Sequence, residues 1–213
     1  IAEIRAKTPK ELEIEAFVHG AMCISYSGRC LISQYMTGRD ANHGACAQPC
    51  RWNYSLMEEK RPGQFFPVEE DGRGTYLYNS KDMCMIEHVP ELIEAGITSF
   101  KIEGRNKTAY YAACVTGAYR AAIDAYRKDP NGFVLPQFCR DEVNKVSHRE
   151  YYTGFYFGNQ ENGQHYGDSQ YIREYEVVGM PVECDDSGKA VFALKNRFFD
   201  GEELELIQPG QVP

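Results

Sequence analysis

No stretch of the 213-residue sequence approaches the ~18 consecutive apolar residues that a membrane helix needs. The opening Ile1-Ala-Glu-Ile-Arg-Ala-Lys7 also lacks the apolar core of a secretion signal. Together these absences predict a soluble, cytoplasmic chain with no membrane partner. Glycine and proline, 19 and 10 residues, fall far short of collagen-like or low-complexity levels, and hydrophobic residues make up 43% against 25% charged, which excludes collagen-like, coiled-coil and disordered classes. Positive charge is in deficit. The 23 Lys and Arg against 31 Asp and Glu leave a net −8, so broad binding to phosphate backbones is excluded and only a local basic site is compatible with the balance. Neither the His-Glu-x-x-His zinc helix nor the Gly-x-Ser-x-Gly elbow occurs, so two common hydrolase signatures are absent.

Cysteine, by contrast, is abundant, with eight residues. A chain of this length buries enough apolar surface to fold without disulfide staples. Cys114 falls inside a helical apolar stripe and reads as a small core residue, and the isolated Cys139 and Cys184 read as inert. Five others crowd the first part of the chain: Cys23, Cys30, Cys46, Cys50 and Cys84, the first four within a glycine- and polar-rich stretch. Irregularly spaced loop cysteines suit a metal. Zinc prefers two close pairs, and only Cys46/Cys50 qualifies. An iron–sulfur cluster tolerates wider spacing, because its thiolates sit on separate iron atoms. Spacing alone leaves cluster, zinc and no metal all open.

Along the chain, a first helix ends at Thr8-Pro9, since the residue before proline avoids helical geometry. Residues 12–19 then alternate as a strand, with Glu15 and His19 on one face. Residues 63–79 read as a hairpin or irregular excursion. Asp82 is placed to cap a helix over 83–88, and Pro90 to open a second short helix closed by Gly96. Residues 97–103 form the next strand, followed by a long helix from about 107 to 128. This order predicts an α/β fold with βα units around a parallel sheet or barrel. If Phe100 and Ile102 face the helices, Lys101 and Glu103 turn with Glu15 and His19 toward the barrel interior, where charge is costly unless paired or functional. Domain boundaries are expected at 1–130 (partial β/α barrel with a cysteine lobe), 131–167 (aromatic connector) and 168–213 (start of an all-β, barrel-like module). Strands are expected there over 171–178, 190–195 and 203–207.

The segments Phe17-Val-His-Gly-Ala-Met-Cys23, Tyr26-Ser-Gly-Arg-Cys30, Gly44-Ala-Cys-Ala-Gln-Pro-Cys-Arg-Trp52 and Phe100-Lys-Ile-Glu-Gly-Arg105 resemble the collagenase-like peptidase family, peptidase family U32. Among its branches the likeness is greatest to the prephenate-dependent hydroxylases of the tRNA wobble uridine. The resemblance implies a TIM-barrel-like domain and a 4Fe–4S cluster, carried here onto Cys23, Cys30, Cys46 and Cys84, with Cys50 a fifth thiol beside them. It implies tRNA as substrate and prephenate as oxygen donor, installing a hydroxyl at uridine C5. Arg29, Arg105 and Arg51 are candidates to hold the prephenate carboxylates. Glu103 and His19 are candidates for proton transfer, with Lys101 an alternative or the partner of Glu103. Residues 20–62 hold five Lys/Arg and three Asp/Glu, a local basic excess suited to an RNA loop. The family's N-terminal portion would precede Ile1, so a homodimer, a partner or a longer gene product is expected to complete the barrel. The competing readings are a peptidase, with Ser27 beside His19 the only local nucleophile and base, and a cluster-bearing electron-transfer or assembly subunit.

Overall fold

The computed structural model describes residues 1–23, 25, 29–52, 54–57, 59–60, 62–63, 65–67, 80–158 and 171–208. In chain order its elements are α1 (Ala2–Lys7), β1 (Glu15–Ala21), α2 (Ile32–Thr37), β2 (Ser55–Met57), β3 (Phe65–Pro67), β4 (Asp82–Cys84), α3 (Val89–Glu94), β5 (Ser99–Ile102), α4 (Ala109–Lys128), α5 (Gln137–Lys145), β6 (Tyr151–Tyr152), β7 (Gly179–Cys184) and β8 (Ala190–Leu194). Short 3-10 turns stand at Ala41–His43, Pro49–Arg51 and Ile86–His88. The architecture is α/β. Two compact units divide the chain: Ile1–His19, Met85–His148 and Ile172–Pro213 make the first, and Gly20–Cys84 with Arg149–Tyr171 the second.

In the first unit β1 pairs in parallel with β5, as the βα order predicts. The helix after β5 starts where its signals say. Thr108 caps it by accepting the Tyr111 N–H at 3.2 Å, and Tyr111, Cys114, Val115, Ala118, Tyr119, Ala122 and Tyr126 bury one stripe at helical spacing. Tyr119 is the keystone of this core. Its hydroxyl donates to the Val18 carbonyl on β1 at 3.0 Å and accepts from the Met85 N–H at 2.9 Å, joining three segments in the buried interior.

Several expected elements differ. The segment after Asp82 begins as strand β4 and a 3-10 turn instead of a helix, because Asp82 is drawn into the second unit by its pairing with Tyr151. Pro90 does open α3, and Gly96, at φ 85°, follows its end. The stretch read as an aromatic connector contains α5, which buries Cys139, Glu142 and Val143 and packs on α4. Its Glu142 is sequestered by Lys145 at 2.7 Å, whose ammonium also meets Glu205. In the C-terminal segment, β7 and β8 form an antiparallel hairpin. The turn between them is held by Asp185, whose Oδ1 accepts the N–H groups of Ser187 and Lys189 at 2.9 Å each, with Gly188 at φ 83°. The expected strand over 171–178 is reduced to a bridge between His148 and Ile172, and no strand forms over 203–207. Alternation alone does not make a strand without a neighbour to receive its hydrogen bonds.

In the second unit β4 pairs in parallel with β6, and β2 pairs with β3 antiparallel, so that residues 65–67 of the expected excursion pair with 55–57, a segment ahead of it. The remainder of that expected excursion, 68–79, lies outside the described residues. No helix among the described residues is long and apolar enough to cross a membrane.

Candidate functional site

The five early cysteines all belong to the second unit. All eight cysteines are described, and none forms a disulfide. Cys23 and Cys30 flank the loop before α2, Cys46 and Cys50 bracket the turn at Gln48-Pro49, and Cys84 ends β4. The turn is unusual in its backbone. Gln48 holds φ 56°, the only positive φ among the described non-glycine residues, and this conformation aims its N–H at the Cys46 Sγ at 3.3 Å. The Ser25 N–H points likewise at the Cys23 Sγ at 3.4 Å. Burial pushes the Cys50 thiol above its ordinary pKa, Arg51 pulls it down, and Cys23, Cys46 and Cys30 push it up again. Those four thiols therefore occupy one electrostatic neighbourhood.

Among the described residues no three Cys, His, Asp or Glu side chains gather as ligands of a single ion. A cluster holds its thiolates apart on separate irons, and backbone N–H groups directed at sulfur are part of how proteins tune such clusters. Thiols grouped in one unit, none of them in a disulfide and two of them approached by backbone N–H groups, fit that chemistry. Cys114 and Cys139, by contrast, are core thiols of the first unit, raised by burial to about 12 and about 11. Cys184 is exposed on β7.

Sequence reasoning missed the buried polar network that underlies the lobe. Asp82 is fully buried, accepting from Arg51 Nη1 at 3.4 Å and from the Arg149 backbone N–H at 3.2 Å. Arg51 Nη1 also reaches the Tyr171 hydroxyl at 3.2 Å, and Nη2 the Met22 carbonyl at 2.9 Å. The Arg149 guanidinium stacks on the Tyr171 ring, 4.9 Å from its centroid. Arg51 was a candidate for prephenate binding. It is instead inside the unit, with its donors directed at Asp82, Tyr171 and the Met22 carbonyl. The signal for this was an acid, Asp82, within an otherwise apolar strand register, whose only affordable interior state is a paired one.

His19 moves as well. β1 and β5 keep register through Phe17↔Lys101, then a bulge sets His19 opposite Ile102. That one-residue slip carries His19 off the face shared with Lys101 and onto the face of Phe100 and Ile102. Its ring lies 5.5 Å from Tyr119 in an edge-on contact and 6.0 Å from Tyr111, fully buried. Burial, then the nearby His148 and Lys107, depress its pKa from 6.5 to about 3. A group so held is neutral at physiological pH and a poor base, so the proton-transfer role expected of His19 is withdrawn. Ser27, its suggested nucleophilic partner, lies outside the described residues.

The depressed value carries a prediction. The unfolded chain protonates His19 below pH 6.5, whereas the folded chain does not until about 3. His19 therefore lowers stability as pH falls through that window, by up to about 1.4 kcal/mol per pH unit. Denaturant midpoints at pH 7 and pH 5 are expected to differ more in wild type than in His19→Gln, and equal differences would remove His19 as the cause.

Lys101, Glu103 and Arg105 remain at the end of β5. Lys101 and Arg105 are exposed, and Glu103 is half-buried, with its carboxylate accepting the Arg105 N–H at 2.9 Å and its own N–H donating to the His19 carbonyl at 2.9 Å. Arg29, in the second unit, is exposed.

The sequence profile of peptidase family U32 matches residues 1–166. The chain belongs to peptidase family U32. Among curated members, the tRNA hydroxylation protein P1 of Bacillus subtilis is 39% identical over 210 residues, covering 97% of this chain and 50% of that protein. A 23S rRNA 5-hydroxycytidine synthase of Escherichia coli is 35% identical over 79% of this chain and 25% of its own length. A collagenase of Porphyromonas gingivalis is 30% identical over 93% of this chain and 54% of its own. The chain thus spans about half or less of the family relatives it matches. No solved structure matches.

Proposed function

We propose that this U32 chain carries the cluster-binding lobe of an RNA hydroxylase, acting at C5 of the tRNA wobble uridine with prephenate as oxygen donor. The observation that carries the proposal is the grouping of Cys23, Cys30, Cys46 and Cys50 in one lobe, two of them approached by backbone N–H groups, in a chain whose relatives are named for RNA hydroxylation. Cys23, Cys30, Cys46 and Cys84 would hold a 4Fe–4S cluster, with Cys50 the fifth thiol of the lobe. When bound, the cluster supplies one-electron redox chemistry.

The rest of the chemistry falls to the chain's own groups. Glu103, half-buried at the end of β5, is the proposed proton-transfer residue, with Lys101 its cationic neighbour. The exposed guanidinium groups of Arg105 and Arg29 suit carboxylates. Burial of Arg51 reduces the basic surface of the lobe, yet Arg29, Arg39 and Lys60 stay exposed in it, and the same lobe exposes Trp52 (44%) and Tyr35 (91%). Exposed cations and aromatic faces in one lobe suit unpaired nucleotides. A TIM-barrel-like whole, completed by a partner or by further chain, is part of the same proposal.

Nucleoside analysis of tRNA from a strain deleted for the gene tests the reaction. Loss of 5-hydroxyuridine derivatives, restored by the wild-type gene and not by Glu103→Gln, is expected; unchanged levels in a strain without a second pathway reject it. The base suggested for the peptidase reading, His19, is a buried core residue, which does not favour that reading.

A further inference from the structure

Two of the three contacts of the Arg51 guanidinium fall beside cysteines; the third is the Tyr171 hydroxyl at 3.2 Å. Nη2 donates to the carbonyl of Met22, the residue before Cys23. Nη1 donates to Asp82, two residues before Cys84. Arg51 itself follows Cys50 directly. Three cysteine-bearing segments, far apart in sequence, are thus tied to one planar fork whose side chain is 5% exposed. Asp82 extends the tie: its second oxygen accepts the Arg149 N–H, and its own N–H donates to the Glu150 carbonyl at 3.0 Å. Among the described residues, the loops from Cys23 to Cys50 contain only the six-residue α2 and two 3-10 turns as regular structure to fix them.

We propose that Arg51, braced by Asp82, is a positioning residue that fixes the segments of Cys23, Cys50 and Cys84 relative to one another before any iron is loaded. The inference rests on the cluster reading above and assigns the lobe its organising side chain. Only arginine meets the geometry: its fork donates in separate directions at once, whereas lysine offers a single ammonium that satisfies Asp82 and leaves the Met22 carbonyl. Partners that orient metal ligands typically shift metal affinity about 10–100-fold when lost, without being ligands themselves.

Two variants separate positioning from folding. Arg51→Lys keeps the charge opposite Asp82. The double variant Arg51→Met with Asp82→Asn removes both charges together, which avoids an isolated buried ion and leaves an acceptor for the Arg149 N–H. Lys145→Met, which breaks a half-buried ion pair in the first unit, is the stability control. Iron and sulfide are measured after anaerobic reconstitution at limiting iron, together with the rate at which a maleimide labels Cys23, Cys30 and Cys50 in the iron-free protein, site by site. Both Arg51 variants are expected to take up several-fold less iron than wild type and to label several-fold faster at these cysteines, while Lys145→Met lowers the melting temperature and changes neither. Wild-type loading and labelling in both Arg51 variants would overturn the inference. If wild type itself takes up no iron, the cluster reading fails. The labelling rates still decide whether Arg51 orders the lobe.

Discussion

Replacing Cys23, Cys30 or Cys46 by serine is expected to abolish iron loading, from about four irons per chain to near zero, because a 4Fe–4S cluster needs four thiolates and a serine hydroxyl is a poor substitute for one. These three are common to the set carried over from the family resemblance and to the group of thiols that influence Cys50. The fourth position separates the two. Cys84→Ser is expected to match the other three, and Cys50→Ser to retain most of its iron. The reverse result would move the fourth ligand onto the Gln48-Pro49 turn. Cys114→Ser and Cys139→Ser, in the first unit's core, are expected to leave iron unchanged and to cost stability alone, since a hydroxyl would replace a buried thiol among apolar neighbours. Iron and sulfide assays on all seven variants, with a melting curve for each, make the comparison.

The second large effect concerns Tyr119. Truncation to alanine empties a fully buried aromatic site that touches His19 and Phe100 and is expected to cost about 3–5 kcal/mol. Tyr119→Phe keeps the ring and removes only the hydroxyl. The Met85 N–H still reaches the Val18 carbonyl at 3.0 Å, so the loss is expected to be about 1–2 kcal/mol. Chemical denaturation of wild type and both variants gives the difference between them, which measures packing separately from the hydrogen bonds. Equal losses would mean that the hydroxyl, not the ring, holds β1 to α4.

How much of this was legible in the sequence depended on whether the signal was local. The α4 helix was legible because its cap, its stripe and its stop are all encoded within it. The parallel β1 and β5 pair followed from the strand–helix order, and the Asp185–Gly188 turn from its own residues. His19 was misplaced because a bulge leaves no mark in a pattern of alternation: the slip is decided by how β1 registers against β5. α5 was missed because its buried face includes Glu142, a residue that reads as exposed until Lys145, itself also held by Glu205, supplies its partner. The strand expected over 203–207 had the pattern and lacked the neighbour. In the candidate site, the cysteines were visible from the sequence as a group. The Arg51–Asp82 tie was not, since it links positions 31 residues apart through burial alone.

The central claim is a cluster in the cysteine lobe, and one preparation tests it most directly. Wild-type protein is purified without oxygen, and iron, acid-labile sulfide, zinc and visible absorption are measured on the same sample. About four irons and four sulfides per chain, with a broad charge-transfer band that bleaches on reduction, are expected. A protein that binds zinc alone, or no metal after reconstitution, would contradict the account.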